Sequence, residues 1–259
     1  IFVWTTTPCN ITPTDNYAFW GIGDIIRGIF AVNEICAKYD YEFYIDFQKH
    51  QIKHFLKENV HPFSSHVEST KNIPYIFPGK VEKYITECNE NIVMLVTNEV
   101  SNKPIPLNIK TQLKNILTPN DTFQKEINVY ISKLPKNYEI LHFRLGDDKL
   151  VRNNDIYFEN IINKIDNHFN ENKVIVTDNM TLKQFLLKKE KYYNNILDTG
   201  MPCHIGIQTT LSSLKNTLIE FYIITRSSNI RSYSVYSWIS GFVNIPSILY
   251  DIPLQKILV

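Results

Sequence analysis

Short apolar runs alternate with longer stretches of helical periodicity along this chain. Runs suited to buried strands lie at residues 1–5, 41–47 and 92–97, and a second series is centred on Ile140, Val174, Ile196, Tyr222 and Ile248. Alternating strands and helices are typical of parallel sheets, because a parallel strand can be reached only through a long crossover connection. At 259 residues, 44% of them hydrophobic, the chain can bury one large core or two of ordinary size. The sequence therefore predicts an α/β protein.

A polar stretch near the middle of the chain is the best candidate for a linker between two domains. Residues 98–106 combine asparagine, serine and lysine with two prolines, and they follow the third apolar run. We place the boundary after residue 110, which gives domains at 1–110 and 111–259. A boundary as late as Asp121 fits the same pattern.

The segment from Leu141 to Asp147 reads Leu-His-Phe-Arg-Leu-Gly-Asp, an apolar strand that ends in a Gly-Asp turn. Successive side chains of a strand point to opposite faces, so His142 and Arg144 share a face while their apolar neighbours face the core. A guanidinium near a strand end needs an anionic partner, and its planar fork of donors fits a carboxylate or a phosphate. That partner is either a ligand or an internal aspartate, Asp147 or Asp148.

A second motif lies near the start of the chain, where an apolar strand and a polar loop precede Gly21-Ile22-Gly23-Asp24. A Gly-x-Gly between a strand and a helix forms a tight turn whose backbone can approach a ligand. Helical spacing of the apolar residues that follow predicts a buried helix with Asp24 as its N-cap. The third glycine of a dinucleotide fingerprint is misplaced here, so this is a different kind of turn.

Two further segments put polar side chains next to apolar runs. The β-branched run 173–176 ends in Thr177, Asp178 and Asn179, at the point where parallel strands carry ligand-binding groups. Asp178 and Asn179 would equally suit the cap of the helix predicted at 181–192. Residues 221–225 predict a strand that leads through a serine-rich turn to a helix, and Ser232–Ser234 would bring hydroxyls and backbone N–H groups to an anion, or simply cap that helix.

Taken in order, these four segments resemble the motifs of the α1,2-, α1,6- and protein O-fucosyltransferases. The resemblance implies a GT-B-like fold, in which two Rossmann-like domains face each other across a cleft. It assigns the acceptor side to residues 1–110 and the nucleotide-sugar side to residues 111–259. The residues on which it places the nucleotide sugar are Gly21, Gly23, His142, Arg144, Thr177, Asp178, Ser232, Tyr233 and Ser234.

The resemblance also implies how these groups divide the work. Arg144 would contact the diphosphate and His142 would help to hold the nucleotide, while Asp178 would accept from the base or ribose. Ser232, Tyr233 and Ser234 would hold phosphate oxygens, with Tyr233 at a position where the family carries phenylalanine.

The activity implied is inverting transfer of a sugar, with GDP-fucose as the expected donor, to a glycan hydroxyl. No cofactor or metal is expected, in keeping with a sequence that lacks an Asp-x-Asp motif. A carboxylate must take the proton of the acceptor. Asp24, Asp147 and Asp155 are candidates, and each is equally suited to a cap or an ion pair. Two alternatives stay open: a donor with rhamnose or another sugar, and a catalytically silent domain that binds nucleotide or glycan.

Charge and apolar pattern exclude other classes of partner. A net charge of +1 offers no basic face for nucleic acid, and no apolar run reaches the length of a membrane span. One glycosylation sequon, at Asn179, falls within the proposed site. We therefore expect a cytoplasmic protein, while an anchor or signal upstream of Ile1 stays open.

Neither the cysteines nor the histidines form a recognised metal motif. Four scattered cysteines, Cys9, Cys36, Cys88 and Cys203, lack Cys-x-x-Cys spacing and are expected to be reduced thiols. Among the four histidines between residues 48 and 84, His50 and His54 could share a helix face. Without a His-Glu-x-x-His pattern, we expect these histidines to face solvent or an acceptor rather than a metal.

Overall fold

The structure is a computed structural model that describes residues 1–11, 21–58, 61–101, 103–146, 155–200 and 209–257, with the side chains of 155–157 set aside. The described residues form two compact units. The first contains Ile1–Phe123 and Thr209, and the second contains residues 124–200 and 210–257. This division falls after Phe123, whereas the sequence placed a domain boundary after residue 110.

Short parallel strands surrounded by helices make up the first unit. Its elements are β1 (Phe2–Val3), α1 (Ile22–Lys38), β2 (Ile45–Asp46), a 3-10 turn (Gln51–His54), α2 (Ser64–Ser69), α3 (Val81–Glu87), α4 (Leu107–Ile116) and the start of α5 (Asp121–Ile131). Strands β1 and β2 pair in parallel, and Leu95 adds an isolated parallel bridge to Phe2. The predicted strand at 92–97 is thus represented by single bridges.

Helix α1 packs its apolar residues into the core of the first unit, among them Ile25, Ile26 and Ile29. Its N-cap is Gly21, so the prediction that Asp24 caps the helix is wrong. Asp24 lies in the first turn, where a negative charge is favoured by the helix dipole. Gly28 is required by space, because a Cβ there would overlap the carbonyl oxygen of Thr97.

A four-stranded parallel sheet forms the centre of the second unit. Its further elements are β3 (Glu139–Arg144), α6 (Asp155–His168), β4 (Lys173–Thr177), α7 (Met180–Leu187), a 3-10 turn (Tyr193–Asn195), α8 (Leu211–Ile224), β5 (Ile230–Ser234), α9 (Gly241–Tyr250) and β6 (Leu254–Lys256). The strand order is β4-β3-β5-β6, and every pair is parallel. The predicted α/β class with a parallel sheet is confirmed.

The two faces of β3 have different neighbours, as alternation predicts. Leu141, Phe143 and Leu145 belong to a buried cluster that includes Ile161 and Ile165 of α6 and residues of α7. His142 and Arg144 point to the opposite face.

Three predicted elements of the second unit are wrong. Residues 221–225 are the end of α8 and the cap that follows it, Ser232–Ser234 lie in β5 rather than at a helix start, and Ile248 lies in α9. The run from Leu218 to Ile224 is buried at every position, so it lacks the polar face that distinguishes a helix from a buried strand. The strand expected around Ile196 is a single bridge to Ile175.

Candidate functional site

The carboxyl ends of the parallel strands in the second unit bring the predicted site residues of that unit to one edge. Arg144 ends β3 and is paired with Ser234 at the end of β5, while Phe143 is paired with Thr177 at the end of β4. Asp178 follows Thr177 directly. Ligands of open parallel sheets bind at this edge, so its side chains define the candidate site.

Arg144 and Asp178 form an ion pair across neighbouring strands, with 18% and 19% of their side-chain surfaces exposed. The Asp178 carboxylate also accepts hydrogen bonds from the backbone N–H of Leu145 at 2.8 Å and of Gly146 at 3.2 Å. Gly146 has a φ of +77°, a left-handed conformation that favours glycine. The sequence considered Asp147 or Asp148 as an internal partner of Arg144. Both lie outside the described residues, and among the described residues Asp178 pairs with Arg144.

His142 is buried and shares a hydrogen bond of 2.9 Å between its Nδ1 and the Oγ of Ser232. Burial, and secondarily the positive charge of Arg144, lower the pKa of His142 to about 3. The imidazole is therefore neutral near pH 7, and it offers a hydrogen bond rather than a charge. This pair lies on the same face of the sheet as Arg144 but nearer the middle of the strands.

The three residues of the Ser-Tyr-Ser segment do not share a face. Ser232 and Ser234 lie beside His142 and Arg144, and the Ser234 Oγ accepts from the backbone N–H of Tyr236 at 3.2 Å. Tyr233 points to the opposite face, where its ring lies 5.7 Å from that of Phe143 within the core. The structure therefore does not bring Tyr233 together with the other two.

Thr177 and Asn179 organise the connection between β4 and α7. The Thr177 Oγ1 accepts from the Asn179 backbone N–H at 3.2 Å, and the Asn179 Oδ1 accepts from the Leu182 N–H at 2.8 Å. Asn179 is thus the N-cap of α7. Asp178 does not share this role, because its carboxylate is directed to the end of β3.

Two aromatic residues at the same edge were not assigned a role from the sequence. Tyr236 lies beneath Arg144, with the guanidinium carbon 5.7 Å from the ring centroid. Trp238 stacks on Tyr236 at 4.8 Å between centroids and is largely exposed. The sequence pattern that could have pointed to them is alternation: Tyr236 and Trp238 continue the every-second-residue spacing of Ser232 and Ser234.

The remaining predicted residues lie in the first unit or outside the described chain. Gly21 caps α1, Gly23 lies in its first turn, and Asp24 forms an ion pair with Arg27 three residues on. Asp147 lies outside the described residues, as does the side chain of Asp155. Of the three candidate bases, only Asp24 therefore has a described environment.

Two of the four histidines of the first unit, His50 and His61, make local hydrogen bonds, whereas His54 and His66 are exposed. His50 is buried against Trp4, and its Nδ1 accepts from the Ile52 N–H at 3.0 Å. Burial lowers the pKa of His50 to about 3. The His61 Nε2 lies 2.9 Å from the buried Asp46 Oδ2, and its Nδ1 accepts from the Phe63 N–H. In the described part of the chain, no three His, Cys, Asp or Glu side chains gather in a way that could hold a metal ion.

The structure also describes the cysteines and the helices, from which reduced thiols and the absence of a membrane span were expected. Cys9, Cys36 and Cys88 are free thiols, and Cys203 lies outside the described residues. Within the described ranges, none of the helices has the length and apolar character that a bilayer crossing needs.

Comparison with solved structures identifies proteins of the same fold. The fucosyltransferase NodZ from Bradyrhizobium aligns with a TM-score of 0.57 at 9% identity, over 92% of each chain. NodZ α-1,6-fucosyltransferase soaked with GDP-fucose aligns at 0.51 and 10% identity, over 88% of this chain and 89% of that one. A mutant of Arabidopsis thaliana FUT1 in complex with GDP aligns at 0.51 and 11% identity, over 98% of this chain and 69% of that one.

At these identities the likeness concerns the fold. The chain has the α/β fold of these fucosyltransferases, with a parallel sheet. No protein-family profile and no curated protein sequence matches it.

Proposed function

We propose that this chain is a glycosyltransferase that transfers fucose from GDP-fucose to a hydroxyl of a glycan, with inversion and without a metal. One observation carries the proposal: Arg144 is held at the carboxyl edge of the parallel sheet by Asp178 and is still partly exposed. This is where open parallel sheets bind ligands, and a fixed guanidinium is suited to a diphosphate. The fold shared with fucosyltransferases supports the choice of reaction.

The chemistry requires stabilisation of a leaving group. The acceptor oxygen attacks the anomeric carbon of the donor, the bond from that carbon to the β-phosphate oxygen breaks, and GDP departs with added negative charge. Arg144 would bind that charge more strongly as it develops, which lowers the barrier. The proton of the acceptor hydroxyl passes to a carboxylate, for which Asp24, Asp147 and Asp155 are the proposed candidates.

We assign the donor to the second unit and the acceptor to the first, as in a GT-B arrangement of two Rossmann-like domains. Support for the donor side comes from the polar groups at the edge of the four-stranded sheet, Arg144, Asp178 and Ser234. The acceptor side stays an assignment from the sequence resemblance, as does the placing of Gly21 and Gly23, at the start of α1, on the nucleotide sugar.

A thermal-shift panel of GDP, UDP, dTDP and CMP, each with its sugar conjugate, tests the donor. A ligand stabilises only the state that binds it, by about 2.7 kcal/mol at a hundred times its dissociation constant. We expect GDP and GDP-fucose to raise the melting temperature, with no effect of EDTA. Stabilisation by UDP or dTDP alone would show that the donor is wrong.

Two arginine variants make the test specific. Arg144→Ala should weaken GDP binding by at least about tenfold, because a charge-assisted contact to the diphosphate is lost. Arg226→Ala is the matched control. Its guanidinium lies in the same unit, bound to Asn128 and Gln124 near the start of β5, so GDP affinity should be unchanged. Equal GDP affinity in both variants would contradict the role of Arg144.

A catalytically silent nucleotide-binding domain is the second candidate. It is favoured by one observation, that the described candidate base, Asp24, is already paired with Arg27. Turnover separates the two functions. An enzyme releases GDP from GDP-fucose, slowly with water and faster with a glycan acceptor, whereas a silent domain binds GDP and releases none from the sugar nucleotide with any acceptor.

A further inference from the structure

Tyr236 and Trp238 form an aromatic stack beyond the end of β5, and the proposed function gives this stack no role. Their ring planes lie within 17° of parallel at 4.8 Å between centroids. Trp238 keeps 62% of its surface exposed, although indole is among the most costly side chains to leave in water. A large exposed aromatic surface beside polar site residues is typical of a binding surface.

The stack is fixed in place by the chain around it. Val235 donates its backbone N–H to the carbonyl of Arg144 at 3.0 Å, and Tyr236 donates to the Ser234 Oγ at 3.2 Å. On the far side, the Lys256 Nζ of β6 donates to the carbonyl of Ser237 at 3.0 Å. Because residues 235–237 are hydrogen-bonded to β3, β5 and β6, the two rings have a defined position next to Arg144.

The strand order indicates which part of a donor would reach these rings. A nucleotide diphosphate sugar is linear, with the diphosphate between the nucleoside and the sugar. If Arg144 on β3 binds the diphosphate and the end of β4 receives the nucleoside, the sugar extends over β5, on the other side of β3. Strands β4 and β5 are about 10 Å apart, two interstrand spacings, which suits the two ends of such a donor.

We infer that the Tyr236–Trp238 stack binds the transferred sugar of the donor, taking the apolar C–H face of a hexose against the indole. A 6-deoxyhexose suits this surface best, because its methyl group adds apolar area where other hexoses carry a hydroxyl. This inference rests on the proposed function. Trp238 is thereby a specificity-determining residue, and Tyr236 positions it beside Arg144.

The test compares the affinities of GDP and GDP-fucose in wild type, Trp238→Ala and Trp238→Phe, measured by calorimetry. We expect Trp238→Ala to weaken GDP-fucose binding by about tenfold and leave GDP binding unchanged, since only the sugar loses its contact. Trp238→Phe should retain part of the difference, because it keeps a smaller ring. Tyr193→Ala is the control, as it removes another exposed aromatic side chain of the same unit and should alter neither affinity.

Each other outcome overturns the inference in a recognisable way. Equal losses for GDP and GDP-fucose in Trp238→Ala would place the indole at the nucleotide. No loss for either ligand, with Arg144→Ala still losing both, would remove the stack from the site and leave the proposed function standing. A wild-type protein that binds none of the nucleotides would overturn both proposals together.

A second readout follows the indole directly. Acrylamide should quench the fluorescence of Trp238, which is the part of the emission missing from Trp238→Phe. GDP-fucose should protect this emission while GDP does not. Equal protection by GDP and GDP-fucose would contradict a contact with the sugar.

Discussion

In the first unit, Asp24 pairs with Arg27 one turn along helix α1, with 26% and 39% of the two side chains exposed. In the second unit, Arg144 pairs with Asp178 on the neighbouring strand, and each side chain is less exposed. The first pair can form on any isolated helix. The second joins residues 34 positions apart and exists only once β3 and β4 are aligned. An Asp–Arg pair therefore depends on the tertiary fold in the second unit, whereas in the first unit it depends only on the helix that carries it.

A second pair in the second unit extends this contrast. Lys183 of α7 and Glu220 of α8 are almost fully buried, at 3% and 5% exposed, with 2.9 Å between Nζ and Oε1. Lys183 also donates to the Thr199 Oγ1 and to the carbonyl of Gly200, each at 3.0 Å. Long-range, buried ion pairs are thus a recurring feature of this unit, and each should be sensitive to the loss of one partner.

The largest effect is expected from Glu220→Gln, which leaves the buried Lys183 ammonium without its carboxylate. Removing one partner of a buried pair costs about 3–5 kcal/mol of unfolding free energy. Urea denaturation measures it. Glu126→Gln is the matched control in the same unit, because Glu126 pairs with Lys215 near the surface, and its loss should cost less than about 1 kcal/mol.

The double variant Lys183→Met/Glu220→Leu separates a lost charge partner from a lost packing contact. Replacing both members of a buried pair by apolar residues is often close to neutral. Its stability should therefore be nearer to wild type than that of Glu220→Gln. If Glu220→Gln were as stable as Glu126→Gln, loss of the buried carboxylate would cost no more than loss of a surface one, which would contradict the prediction.

The contrast between the two Asp–Arg pairs is tested by Asp178→Ala and Asp24→Ala. Asp178→Ala removes the carboxylate that pairs with the Arg144 guanidinium and accepts from the N–H groups of Leu145 and Gly146, at a cost of about 2–4 kcal/mol. Asp24→Ala loses a partly exposed pair and a favourable contact with the helix dipole, about 1 kcal/mol or less. Hydrogen exchange of peptides from each unit would locate the two losses. Equal costs would mean that sequence separation and burial do not distinguish the pairs.

Local periodicity was enough to predict much of the second unit. The two-residue period of a strand placed His142 and Arg144 on one face, and the apolar run before Thr177 predicted β4. These predictions required only the geometry of a single segment, and they are confirmed.

Two features could not be predicted from a single segment: the pairing of Arg144 with Asp178, and the helical conformation of α8. Asp178 reaches Arg144 only through the register of two strands, which the sequence of neither one specifies. In α8 the last seven residues are all buried, so the helical period is hidden. Ser232–Ser234 were assigned to a helix start because serine is common in caps, whereas pairing with β3 makes them a strand, and Ser232 pairs with β6 as well.

The buried histidines, by contrast, should make the two units respond alike to pH. His50 in the first unit and His142 in the second each have a pKa of about 3, lowered by burial. The unfolded chain takes up a proton at each below about pH 6.5. Stability should then fall as the pH drops from 6.5 towards 3, by about 1.4 kcal/mol per pH unit for each histidine.

Urea denaturation at pH 7, 6 and 5 measures this slope. His142→Gln and His50→Gln should each remove about half of the pH dependence attributable to the pair, because each takes away one group that titrates differently in the two states. An unchanged slope in both variants would show that these imidazoles are not kept neutral by the fold.

Smaller losses of stability than those of Glu220→Gln and Asp178→Ala are expected at two glycines with nearly the same φ. Gly79 in the first unit and Gly146 in the second have φ values of +79° and +77°. An alanine at either position should cost about 1–2 kcal/mol through backbone strain, and at Gly79 nothing lies within 4 Å of the added Cβ.

The consequences of the two substitutions for GDP binding should differ. Gly146 donates to Asp178 beside Arg144, so Gly146→Ala should also weaken GDP binding, while Gly79→Ala should not. Matched losses of stability with unchanged GDP affinity in both variants would separate the turn at Gly146 from the proposed donor site.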